Sequence, residues 1–179
     1  MKRVIVGLSG LKGSGKDTVC QILLEELEEF FPKRIAFADA LKAEVAKACG
    51  VTVEAINAYK EVYRPILQWW GTDFRRQHCC NNNYWVDKVR DKIDDLCLTG
   101  VVIITDVRFL NEVALIREYG GELWRIIRSN QYNADDHHRS ETELANYQRF
   151  DRVIINADTL ERLKEVVRTN LVSEIRKKL

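Results

Sequence analysis

Apolar positions along this chain follow two rhythms, and their alternation predicts an architecture. Short apolar, β-branched runs at Val4–Leu8, Arg34–Phe37, Val101–Ile104, Glu122–Arg128 and Arg152–Asn156 read as strands. Between them apolar residues recur every three or four positions. The first such series is Val19, Ile22, Leu23, Leu27, Phe30 and Phe31. A second is Val45, Ala46 and Ala48, ending at Gly50, and the last runs from Leu160 through Leu163, Val166, Val167 and Leu171 to Ile175. That spacing is helical. Strands alternating with helices predict an α/β fold: a five-stranded parallel sheet in three layers, with helices on both faces.

Two stretches depart from the alternation. Residues 51–98 carry helical spacing without a strand, and are rich in aromatics and cations. They read as a helical insert, with one helix over Tyr59–Trp70 and another over Tyr84–Leu98. Residues 129–148 turn polar after the fourth strand and read as a small lid. One domain over 1–179 is expected, with its core in 1–50, 99–128 and 150–179.

Composition narrows the class. A chain of 179 residues with 46% hydrophobic and 31% charged residues is long enough for a full core and ordinary for a globular protein. The net charge of +1 supplies no global field for nucleic acid. No leader pattern or membrane-length apolar run is visible, so a cytoplasmic location is expected. Five cysteines, an odd number without a CxxC pair, read as reduced thiols. His78-Cys79-Cys80 and His137-His138 are poor metal sites, because adjacent side chains rarely chelate one tetrahedral ion.

The chemistry begins at Gly10-Leu11-Lys12-Gly13-Ser14-Gly15-Lys16-Asp17-Thr18, between the first strand and the first helix. Glycines there let backbone N–H groups turn around phosphate oxygens, and the helix N-terminus adds partial positive charge. Gly10, four residues, Gly15 and Lys16 match the phosphate-loop spacing, with Lys16 set to reach the outer phosphates. The usual hydroxyl residue after the lysine is Asp17, which suits Mg²⁺, and Thr18 follows for an inner phosphate. A bound nucleoside triphosphate is the expectation.

Other candidates lie at strand ends, where open α/β sheets bind ligands. Asp39 either caps the following helix or faces the crevice, with Lys42 one turn on. Asp106 closes the third strand as a second Mg²⁺-orienting carboxylate or as a cap for the helix after it, and Arg108 lies two residues beyond. In the insert, Arg64, Gln68 and Arg76 beside Trp69 and Trp85 form a candidate pocket for a base with an attached phosphate. Arg128 and Arg139 are the candidate lid cations.

Gly13–Thr18, Phe37–Lys42, Gly71–Arg76, Thr105–Glu112 and Arg139-Ser140-Glu141 resemble, in order and spacing, the phage-type deoxynucleoside monophosphate kinases, a family of P-loop kinases. Animal phosphomevalonate kinases resemble the chain as a related family, through the GKD loop, Phe37–Lys42 and Tyr59-Lys60…Tyr63-Arg64. Phage kinases acting on hydroxymethyluracil in DNA also look similar. The resemblance implies a P-loop fold and transfer of the ATP γ-phosphoryl group, with Mg²⁺, to a deoxynucleoside monophosphate. It implies that Arg64, Arg76 and Arg108 hold the acceptor, that Lys16 and the lid arginines stabilise the transferring charge, and that Asn156 borders the adenine. Asp39 would serve as base only for an alcohol acceptor. The partner implied is a small nucleotide, with nucleic acid only under the DNA-kinase alternative. No membrane is expected, a homodimer is allowed, and the location is host cytoplasm if the chain is phage-encoded.

Overall fold

Successive residues of a strand face opposite ways, so the apolar runs feed two cores at once. The computed structural model describes residues 3–96, 100–128, 139–157 and 159–179. Its strands are β1 (Arg3–Ser9), β2 (Lys33–Ile35), β3 (Gly100–Ile104), β4 (Glu122–Arg128) and β5 (Arg152–Asn156), in the spatial order β2-β3-β1-β4-β5. Every pairing is parallel, with Val6 opposite Ile103 on one side and Leu8 opposite Trp124 on the other. Val6, Leu8, Val101, Ile103, Trp124 and Ile126 point to one face, covered by α1 (Lys16–Glu26) and the carboxyl-terminal helices from Leu160 onward. Ile5, Val102, Ile104 and Leu123 point to the other, covered by α5 (Tyr84–Asp94) and α6 (Leu110–Glu118). The expected three-layer sheet is what forms.

A smaller apolar cluster ties the insert to the body. Val45 and Ala46 of α2 (Phe37–Cys49) pack with Ile56 of α3 (Val53–Ala58), and Tyr63, Ile66 and Leu67 of α4 (Lys60–Gln68) lie against them. Thr52 starts α3 by accepting the Ala55 N–H at 3.1 Å. Beyond α4 the helix widens to π geometry over Trp69–His78, where the Cys79 N–H reaches the Phe74 carbonyl at 2.8 Å. The wider turn carries Gly71, Thr72 and Arg76 inward. Gly71 touches α2 so closely that a Cβ there would lie 2.9 Å from Leu41 Cδ2.

Several boundaries differ from expectation. Helix α1 stops at Glu26, a 3₁₀ turn follows at Glu28–Phe30, and Phe31 at φ 50° is 80% exposed rather than part of an apolar face. The second strand is shorter than Arg34–Phe37, because Phe37 is the first residue of α2. The helix expected over Tyr84–Leu98 ends at Asp94. Residues 129–138 of the expected lid, His137-His138 among them, lie outside the described residues, as do Cys97 and Leu98. The described base of that excursion begins with α7 (Arg139–Thr142).

Candidate active site

Parallel strands put all their carboxyl ends on one edge, and the loops leaving that edge converge. After β1 the chain makes the glycine-rich loop and enters α1 at Lys16. Gly13 (φ 75°) and Gly15 (φ 105°) take conformations closed to most side chains, and a Cβ on Gly15 would lie 2.5 Å from Asn156 Nδ2. The Lys16 ammonium is held within the loop, donating to the carbonyls of Gly10 at 2.7 Å and Leu11 at 2.8 Å. Ser14 is fully buried, and its carbonyl accepts from Asn156 Nδ2 at 3.0 Å, tying β5 to the loop. Arg128, at the end of β4, donates to the Gly13 carbonyl at 3.4 Å.

Between these groups opens a cleft of about 330 Å³, lined by the loop, Asp17, Thr18, Arg128, Asn156 and Leu160. Leu11 is half-buried, whereas exposed Lys12 reaches across to pair with Glu61 of α4. That hydrogen bond from Lys12 holds the Glu61 carboxyl below the usual carboxylate range. Behind the loop, burial pushes the Cys20 thiol up to about 11, so it stays protonated and is no nucleophile at neutral pH.

Asp106 follows β3, and its carboxylate spans both open amides of α2: Oδ1 accepts the Phe37 N–H at 2.9 Å and Oδ2 the Ala38 N–H at 2.8 Å. It is therefore a cap, of α2 rather than of the helix after it. Each oxygen accepts one of these amides, so the Asp106 carboxylate anchors the start of α2 to the end of β3. Enclosure raises its carboxyl above the ordinary value, and the two amides pull it back. Asp39, by contrast, does not cap α2. It lies in the first turn, paired with Arg34 at 3.1 Å. One turn on, Lys42 donates to Asn57 Oδ1 at 2.8 Å, and burial together with Lys60 lowers its ammonium below the usual lysine value.

The expected acceptor pocket divides. Trp85 is 3% exposed, packs in the sheet core and donates its indole N–H to the Gly71 carbonyl at 2.8 Å. It is a core residue, so its expected contact with a base is corrected. Arg76 is 4% exposed, and its guanidinium donates to Glu112 Oε1 at 2.5 Å and to the Asn82 carbonyl at 3.0 Å, with its carbon 4.0 Å from the Phe109 ring centroid. Buried and ion-paired with Glu112, it is corrected from an acceptor ligand to an internal ion-pair partner. Trp69, by contrast, is half exposed and stacks on Phe74 with centroids 5.4 Å apart. Arg64 and Gln68 lie half-buried on α4.

On the opposite side of the crevice, Arg108 is half-buried with Nη1 3.5 Å from Ser140 Oγ. Arg139 is exposed, pairs with Glu143 at 2.6 Å, and stands 5.9 Å over the Phe109 ring. Glu112 is a junction that the motif reading does not single out. It accepts the Arg108 and Phe109 N–H groups at 2.7 and 3.1 Å while pairing with Arg76. The available signal was a glutamate three residues past a helix start, the spacing of a capping box. Among the described residues no cluster of His, Cys, Asp or Glu is arranged to hold a metal by itself, and no helix is long and apolar enough to cross a membrane.

Residues 8–122 match the model of a protein family described as phosphomevalonate kinase. The chain belongs to that family. A relative from Acanthamoeba polyphaga mimivirus, named "Putative deoxynucleotide monophosphate kinase", is 34% identical, the match covering 88% of this chain and 91% of the viral protein. Among solved structures, TT1252 from Thermus thermophilus matches with a TM-score of 0.56 at 16% identity, over 97% of this chain and 98% of that one. Shikimate kinase from Aquifex aeolicus matches at TM-score 0.49 and 14% identity, over 97% and 99% of the two chains. As a member of the phosphomevalonate kinase family, the chain is a kinase of nucleotides or small molecules.

Proposed function

We propose that this kinase transfers the γ-phosphoryl group of ATP to the phosphate of a deoxynucleoside monophosphate. The observation that carries the reading is the mimivirus relative, matched across nearly the full length of both chains, together with a built phosphate loop. The acceptor phosphate is already ionised, so the protein has to align two anions and spread charge rather than supply a nucleophile. Backbone N–H groups of Gly13–Thr18 and the N-terminus of α1 face the donor phosphates, and Lys16 turns from the loop carbonyls toward the outer ones. Asn156 and Leu160 border the adenine side of the cleft. Asp39, Lys42, Arg64, Gln68, Trp69 and Arg108 surround the acceptor, and Arg128 and Arg139 neutralise charge as the phosphoryl group moves.

Mg²⁺ fits the donor side. Asp17 is exposed in the first turn of α1 beside Thr18, a hard-oxygen pair at the cleft, and a Mg²⁺ ion needs one or two such ligands besides phosphate and water. When bound there, it neutralises charge on the donor phosphates.

One finding favours a second reading. The phosphomevalonate kinase match covers the loop, the insert and β3, so a phosphorylated small acid is the competing acceptor. A coupled assay with ATP and, in turn, each deoxynucleoside monophosphate, mevalonate 5-phosphate and hydroxymethyluracil-containing DNA decides. Turnover of one or more of the monophosphates is expected. Turnover of mevalonate phosphate or DNA alone overturns the nucleotide reading.

A further inference from the structure

The segment from Arg108 to Glu112 is gripped from two sides. From the insert, Arg76 bonds Glu112 Oε1, and the same guanidinium reaches the Asn82 carbonyl and Asn111 Oδ1, the latter at 3.3 Å. Asn111 in turn donates to the Asn82 carbonyl at 2.6 Å and Asn83 Oδ1 at 3.0 Å. From the lid base, Glu143 accepts the Leu110 N–H at 2.9 Å while holding Arg139. Between them Glu112 Oε2 receives the Arg108 and Phe109 amides, so one carboxylate serves the insert with one oxygen and the Arg108 backbone with the other. Glu112 is 2% exposed and Arg76 4%.

A charge pair this deep is costly to desolvate, and apolar residues of equal volume pack as well or better. Helix capping needs no buried arginine. What the pair adds is geometric: it links Arg76, in the π-helical stretch of the aromatic insert, to the backbone that carries Arg108. A guanidinium on a six-bond side chain finds an acceptor phosphate only if its Cα is fixed, since misplacement by about 1 Å costs up to a hundredfold in rate.

We infer that Glu112 and Arg76 are positioning residues for Arg108, fixing the backbone from which it reaches the acceptor phosphate and locking that backbone to the helical insert. This rests on the reading that Arg108 meets the acceptor. Neither residue touches substrate. Their substitution acts on acceptor binding through Arg108 and leaves the ATP cleft alone.

The test is steady-state kinetics with ATP and whichever acceptor of the panel above is turned over, on wild type, Arg108→Ala, Glu112→Ala and the double variant. Glu112→Ala is expected to raise the acceptor KM about tenfold with the ATP KM within about twofold, and to have no further effect in the Arg108→Ala background. Glu112→Asp, which keeps the charge but is one methylene too short to serve both sides, repeats the measurement if Glu112→Ala does not fold. An additive double variant, equal changes in both KM values, or an unchanged acceptor KM overturns the inference. If Arg108→Ala itself leaves the acceptor KM unchanged, the assignment of Arg108 to the acceptor is what fails, and the inference falls with it.

Discussion

The two sides of the crevice use the same kinds of residue in opposite ways. On the side proposed for the donor, the surface is assembled from backbone: glycines at φ 75° and 105°, a helix N-terminus, and one lysine folded among loop carbonyls. The side proposed for the acceptor is built from long side chains, and several conspicuous ones are turned inward. Arg76 and Trp85 vanish into the core, while Trp69 is half exposed and Arg108 half-buried. Backbone chemistry is tied to position in the sequence, so the donor side tolerates little change in spacing. Side-chain chemistry is tied to packing, so on the acceptor side neighbouring arginines and tryptophans have different duties.

The sharpest break in this contrast is Lys16→Ala. Losing the cation inside the loop should cut phosphoryl transfer by at least about a thousandfold with a wild-type circular dichroism spectrum and little change in Tm. A folded variant with wild-type turnover would remove the donor side from this edge of the sheet.

Next comes the tryptophan pair. Trp85→Ala should lose about 3–5 kcal/mol of stability in urea unfolding, because it empties a fully packed site and strands the Gly71 carbonyl. Trp69→Ala should cost about 0.5 kcal/mol or less and raise the acceptor KM instead. Reversed results would exchange the roles of the two residues.

A comparable effect is expected from pH. Burial raises the Glu112 carboxyl from 4.5 to about 7, against the pull of Arg76 and two amides. A carboxyl with a raised folded pKa binds its proton more tightly in the native state. Its contribution to stability therefore declines as pH rises from about 4.5 to 7 and is level outside that window. Relative to Glu112→Gln, wild type should lose stability across it. Parallel stability curves for the two proteins would show that Glu112 is ionised throughout, with Arg76 the dominant influence.

The smallest effects separate the two aspartates. Asp17→Asn should raise the Mg²⁺ concentration for half-maximal rate severalfold without moving Tm. Asp106→Asn should leave the Mg²⁺ titration unchanged and lower stability by about 1–2 kcal/mol, the cost of a lost helix cap. A shifted Mg²⁺ titration in Asp106→Asn would return that residue to the metal.

The sequence by itself determined the parallel sheet, the strand–loop–helix unit and the place of Lys16. Each follows from residue spacing over a few positions: apolar period, glycine at left-handed backbone, a lysine at the helix start. Family likeness likewise rests on short local motifs, and the matched family confirms it. Only the tertiary structure decided which side chains are buried in the core and which stay exposed. Asp106 caps a helix 68 and 69 residues away in the chain, and Arg76 meets Glu112 across 36. Neither distance leaves a trace in local pattern. Within the π-helical stretch Trp69–His78 the buried residues are Gly71, Thr72 and Arg76, a placement that an α-helical count of the insert does not give. Burial is a property of the packed molecule, and an arginine among tryptophans reads the same in sequence whether it grips a phosphate or a neighbouring glutamate.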